Sequence, residues 1–221
     1  MLQEESTRVH KMADSGNRIC TSGTDDSSIG DTAWTNPQYI TTDDTSRATF
    51  KSGSGTPIEN SIKIIKADGS LGTEDKSTGG LWPTPEAVKT YGAANDLWSE
   101  SWTAENINDS DFGIAISMKG ATSGVSHWLK AQGFGFSIPT GATINGILVS
   151  VTCYYIGGAT RTALADCVYI CVYYTEGGSG GTNLQVQVGD VFRPVSEIHV
   201  NVNDVWRPAT AFVNVGDVWR A

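Results

Sequence analysis

Apolar and polar residues alternate with a period of two in several separate stretches of this chain, and no long stretch carries the 3.6-residue period of an amphipathic helix. "FGIAISMK" (residues 112–119) sets Phe112, Ile114, Ile116 and Met118 against Gly113, Ala115, Ser117 and Lys119, the pattern of a half-buried strand. "TINGILVSVTCYY" (143–155) repeats it over a longer span. Its apolar face is Ile147, Val149, Val151, Cys153 and Tyr155, and its wet face holds Ser150 and Thr152. "DCVYICVYYT" (166–175) is apolar on both faces, which predicts a central strand. "RATFK" (47–51) and "NSIKIIKA" (60–67) are shorter strand candidates, the second closed by the tight-turn signal "DGS". Between residues 77 and 111 the chain reads as one irregular crossing. Within it Thr103 is placed to cap a single helical turn through Asn106.

These elements predict an all-β chain with a two-sheet, jelly-roll-like β-sandwich over residues 31–175. Residues 1–30 have almost no apolar periodicity and predict an N-terminal arm that orders only against a partner. "EGGSGGTN" (176–183) has the composition of a flexible linker.

Residues 184–221 are different in kind. VQVGDVFRP, VNVNDVWRP and VNVGDVWRA begin at Val186, Val200 and Val213, spacings of 14 and 13 residues. In each, Gly-Asp or Asn-Asp lies between two valines, which suits a two-residue type II′ or I′ turn and predicts three tandem β-hairpins. That register sets Gln187 against Phe192, Asn201 against Trp206 and Asn214 against Trp219. The outer valines then fall opposite Arg193, Arg207 and Arg220. A lone hairpin this short is marginal in water, and about 36 residues bury little core. The missing burial is therefore expected from another copy of the chain or from a host surface, with Phe192, Arg193, Trp206, Arg207, Trp219 and Arg220 as the assembly interface. An extra sheet packed on the chain's own sandwich is the alternative.

Composition narrows the functional classes. The chain has 221 residues, 25 of them Gly, with 18% charged residues and a net charge of −9. Phosphate binding needs clustered Lys and Arg, so this balance argues against nucleic acid as a partner and against docking on anionic lipid. The start "MLQEESTRVHKMADSG" lacks the apolar stretch of a signal peptide, and the longest apolar run, "CVYICVYY", is eight residues. A spanning helix needs roughly 20. A soluble product made in the cytoplasm is expected, with no membrane partner. Of the four cysteines, Cys167 and Cys171 lie four apart in a strand, about 13 Å between Cα atoms, too far to bridge. Four reduced thiols are expected, with a bridge from Cys153 to Cys167 or Cys171 as the alternative.

Candidate chemistry is sparse. His10, His127 and His199 are scattered and no GxSxG marks a nucleophile. "NINDSDFG" (106–113) lacks the ligand spacing and distal Glu of a calcium loop, and Asx turns account for it. Nothing nominates a pair of carboxylates for glycoside hydrolysis. Neither an enzymatic activity nor a metal or cofactor is expected. Trp82, Tyr91, Trp98 and Trp102 are open to two readings, a sugar-stacking platform or lids over the sandwich core.

The segments "WLKAQGFGFSIPTGATINGILVSV" (128–151), "NDLWSESWTAENINDSDFGIAI" (95–116) and "VYYTE" (172–176) resemble a β-rich domain of tailed-bacteriophage structural proteins. The "VNVGDVWR" units are similar to short tandem repeats near the ends of phage virion proteins. The order departs from the family, in which the "GFSIPTGATINGI" strand precedes the "NSIKIIK" and "DLWSESWT" segments. The resemblance implies a virion structural component, either capsid decoration or cement or part of a fibre or tail, and carries no catalytic residues. Its implied partners are other virion proteins and further copies of itself, with a homotrimer expected because closure about an axis removes exposed strand edges. The competing class is a carbohydrate-binding, lectin-like module that attaches to a host surface glycan.

Overall fold

The computed structural model of the chain describes residues 12–53, 55–120, 124–158 and 161–176 in full, and six strands between residues 185 and 220 by their backbone pairing. Two compact units result, Met1–Gly177 and Gly178–Ala221, the break falling inside the Gly/Ser stretch. The first begins with β1 (Met12–Asp14), β2 (Arg18–Ile19), β3 (Ser22–Asp26) and a 3-10 turn at Pro37–Ile40. β4 (Ala48–Lys51), β5 (Pro57–Ile65), β6 (Ala87–Ala93) and the short helix α1 (Ala104–Asn108) follow. β7 (Gly113–Gly120), β8 (Trp128–Gln132), β9 (Thr143–Ile156) and β10 (Thr162–Thr175) complete it.

These strands make two antiparallel sheets. One runs β1-β10-β9-β6, with β2 and β4 also paired to β10; the other runs β3-β8-β7-β5. Inward residues of both sheets, among them Ile62, Ile64, Ile116, Val149, Val151 and Ile170, form one continuous core. The all-β expectation therefore holds, and burial of this shared core is the dominant favourable term for the unit. Among the described residues no helix is long and apolar enough to cross a membrane.

β10 is the central strand that its two-sided apolarity predicts, and a bulge explains the pattern. Ala165 pairs with Cys153 and Val168 with Val151, so Asp166 and Cys167 together oppose Thr152. The extra residue switches the inward parity from Ala163 and Ala165 to Val168, Ile170 and Val172, all fully buried. A strand whose core face changes parity midway reads as apolar on both faces.

Three expectations are corrected. The arm proposed for residues 1–30 belongs to the body over its described part: β1 and β2 pair with β10, and β3 pairs with β8. These strands add backbone hydrogen bonds to sheet edges while keeping mostly polar side chains. Only Cys20 is buried, its thiol directed at the Ile40 carbonyl at 3.3 Å, so apolar periodicity has nothing to report. Residues 1–11 lie outside the described residues. β7 is not half-buried, because Ala115 packs with Ile65 and Trp128 in a second small cluster flanked by Ile29 and Leu71. The loops carrying Ile29 and Leu71 cover a face that the sequence pattern assigns to solvent. Finally, the crossing at 77–111 contains β6, which pairs with β9 from Ala87↔Cys153 to Ala93↔Ile147. Gly92 lies in β6 at φ 80°, where an added Cβ would meet the Ile147 carbonyl oxygen at 2.2 Å. Only glycine fits this close approach.

The helical turn at Thr103 is present and slightly longer than expected. The Thr103 hydroxyl accepts from the Asn106 amide at 3.2 Å, and the Asn106 side chain accepts from the Thr103 amide at 3.1 Å, a reciprocal cap. The Asp109 carboxylate then accepts from the Asp111 amide at 2.8 Å, the Asx turn expected in "NINDSDFG".

In the second unit, β11 (Gln185–Val188) pairs with β12 (Val191–Pro194), β13 (His199–Val202) with β14 (Val205–Pro208), and β15 (Val213–Val215) with β16 (Val218–Arg220). Each pair is antiparallel and forms its own two-stranded sheet.

Candidate functional site

The sugar platform does not assemble from the four aromatics. Trp82 and Trp98 are fully buried, and Tyr91 is 5% exposed. The Trp98 indole N–H donates to the Ile147 carbonyl at 3.0 Å, and Trp82 packs against Trp34 with ring centroids 6.3 Å apart. These rings close the core, the lid reading. Rings of this size bring enough apolar area for burial to win over exposure on a sandwich this small.

Trp102 is separate. Half-buried, it donates its indole N–H to the Leu97 carbonyl at 2.9 Å and meets Phe112 edge-on at 5.3 Å. It lines an open crevice of about 470 Å³ together with Ser101, Thr103, Glu105 and Thr143. An aromatic ring beside hydroxyls and one carboxylate is chemistry suited to a small polyol. Glu105 is the one carboxylate in that lining, so the crevice lacks the facing pair that glycoside hydrolysis uses.

Two carboxylates are buried elsewhere, and the sequence reading missed both. Glu59 lies on β5 opposite Met118, on the core side, because Asn60 is an extra residue in the register. Its side chain is wholly buried. It accepts from the Thr78 amide at 2.8 Å, the Thr78 hydroxyl at 2.9 Å, the Tyr91 hydroxyl at 2.8 Å and the Lys89 ammonium. Burial alone pushes the Glu59 carboxyl up; the Lys89, Thr78 and Tyr91 hydrogen bonds outweigh it and hold the group below its usual range. Lys89 and Tyr91 stand on β6, so the cluster links the two sheets.

Asp166 lies in the β10 bulge with 1% of its side chain exposed. Its Oδ1 accepts from Arg47 at 2.9 Å and from the Asp44 amide at 3.4 Å, while its Oδ2 has no hydrogen-bond partner. Burial pushes its carboxyl up to about 6 despite the Arg47 charge. Cys167 is next to it, its thiol 3.2 Å from the Thr152 hydroxyl. A charged residue opening an otherwise apolar central run, "DCVYICVYY", is the sequence signal that marks this place.

The four cysteines are free and buried. Burial raises the thiols of Cys20 and Cys153 to about 12, which keeps both protonated and inert. His127 Nδ1 stands 2.7 Å from Asp25 Oδ2. Among the described residues no hydroxyl or thiol hydrogen-bonds that imidazole; the neighbouring Ser126 hydroxyl donates to the His127 backbone carbonyl at 2.7 Å.

In the repeats, Gln187 pairs with Phe192, Asn201 with Trp206 and Asn214 with Trp219; Val186, Val200 and Val213 pair with Arg193, Arg207 and Arg220. The side chains of the six expected interface residues lie outside the described residues. Comparison with protein-family models, with curated proteins and with solved structures finds no match to this chain.

Proposed function

We propose that this chain is a non-enzymatic structural component of a tailed-phage virion, a capsid decoration or cement protein or a part of a fibre or tail. It acts through assembly contacts made by its C-terminal repeats. The observation that carries the reading is the common register of the three strand pairs, which sets Phe192, Trp206 and Trp219 at one equivalent position and Arg193, Arg207 and Arg220 at the next. Repetition multiplies a single surface, which assembly uses; catalysis needs different residues in different roles. In this reading the body is a jelly-roll-like sandwich, the end is an array of hairpins, and three copies close about an axis alongside other virion proteins. The net charge of −9 favours an outward position over one lining packaged DNA. Labelling the protein in intact particles and imaging them tests this. A fixed, symmetry-related set of positions on the particle is expected, and absence from purified particles overturns the reading.

The crevice at Trp102 favours a second reading, attachment to a host surface glycan. Stacking on one aromatic face with hydroxyl partners supports weak, specific binding. Under it, glycan-array signal is retained by the intact chain and lost in Trp102→Ala with the fold unchanged by circular dichroism. Signal indifferent to Trp102 removes the crevice from consideration.

A further inference from the structure

We propose that Asp43, Asp166 and Cys167 form a binding site for one zinc-class divalent cation, with water completing the coordination. Their ligand atoms lie within 4.8 Å of one another. Three separate features place them there. The β10 bulge puts Asp166 and Cys167 side by side opposite Thr152, where a regular strand would send them to opposite faces. An isolated antiparallel bridge between Thr41 and Cys167 brings the segment carrying Asp43 against β10. Arg47 occupies Asp166 Oδ1 and leaves Oδ2 without a partner, although the side chain is 1% exposed.

A buried carboxylate oxygen with nothing to accept from is costly, and a cation at this point satisfies it. Charge favours the same outcome. Arg47 is shared with Glu86 at 2.9 Å, so two carboxylates, Asp166 and Glu86, divide one guanidinium, and Asp43 brings a third carboxylate within 4.8 Å of the Asp166 and Cys167 ligand atoms. A divalent ion offsets the excess.

The donor set selects the metal. Calcium and magnesium take oxygen ligands, whereas a thiolate beside two carboxylates suits zinc. Bond lengths of about 2.0–2.3 Å put tetrahedral ligand atoms about 3.3–3.8 Å apart. Closing from the observed spread requires a shift of about 1 Å, and Asp43 is exposed and free to supply it. Binding would displace the Cys167 thiol proton and tie the Asp43 segment to the centre of the sheet.

Cobalt(II) is the probe, because ligation by a thiolate gives a near-ultraviolet charge-transfer band that oxygen ligands do not. Titration of the full chain is expected to raise this band to saturation at one equivalent, with loss on adding zinc. Cys167→Ser should abolish the band, Asp43→Asn should weaken binding at least about tenfold, and Cys171→Ser, at a neighbouring buried thiol, should leave it intact. No band on the wild-type chain, or a band that survives Cys167→Ser, overturns the site. Asp43 is exposed and its substitution leaves the core untouched, so Asp43→Asn decides the matter even if Cys167→Ser misfolds. Unchanged affinity in Asp43→Asn also overturns it.

Discussion

Under the proposed assembly role, removing residues 178–221 is expected to leave a monomer while the melting of the body stays nearly unchanged. The body, Met1–Gly177, is a compact unit with its own continuous core, so its melting is expected not to depend on the repeats. Among the described residues the repeats pair as separate two-stranded sheets of three or four residues per strand, and strand pairs this short are marginal alone. Their ordering and the association of chains are thus expected to be one event. Truncating a buried aromatic typically costs about 3–5 kcal/mol, and association over a small interface leaves little surplus beyond that. Trp206→Ala combined with Trp219→Ala in the full chain should therefore reproduce the deletion. Light scattering reads the mass and thermal melts read the body. An unchanged oligomer with a collapsed melting temperature would mean that the repeats complete the body's own fold, and the assembly role would fail.

How much of this was legible beforehand depends on what kind of residue carries each feature. β7, β9 and β10 announce themselves because apolar side chains recur on a face that must be buried. β1, β2 and β3 do not: "MAD", "RI" and "SGTDD" contribute edge hydrogen bonds and almost no apolar area. Backbone pairing of this sort leaves no trace in hydrophobic periodicity. β6 was hidden for a different reason: its outward face carries Val88, 59% exposed, while its inward face carries Lys89 beside the buried Tyr91. The outer face of β7 was misread because Gly113, Ala115 and Ser117 are small rather than polar, and small residues permit a covering loop as readily as solvent.

The site features follow the same logic. Thr103 could be read because a capping residue acts on its own neighbours in sequence. Asp43 and Asp166 come together only through the β10 bulge and the Thr41–Cys167 bridge, and Glu59 meets Lys89 only because two sheets face each other. The fate of Trp82 and Trp98 was equally non-local. A tryptophan on a loop carries no mark of whether it plugs a core or faces a ligand until the neighbouring strands are placed.

Replacing Glu59 with Ala is expected to destabilise the body by about 3 kcal/mol, lowering its melting temperature by roughly 6–12 °C for a chain of this size. The substitution strands the Tyr91 hydroxyl, which is buried among the core residues, and removes the acceptor for the Thr78 amide. Lys89 is 23% exposed and reaches water, which keeps the loss at the lower end for a broken buried pair. Glu59→Gln keeps the shape but not the charge, and is expected to cost less. The difference between wild type and Glu59→Gln should also depend on pH in a defined direction. The folded Glu59 carboxyl is held below its ordinary value, since burial is outweighed by its four donors. It therefore contributes fully above the unfolded-state value of about 4.3, and that contribution is lost as pH falls through the lower folded value. Chemical denaturation at a series of pH values should show the gap between the two proteins steady from pH 7 to about 5 and shrinking below that. A gap that stays constant down to pH 3 would mean that the Glu59 carboxyl titrates alike in the folded and unfolded chain, and the ion-pair account of the link between the sheets would be wrong.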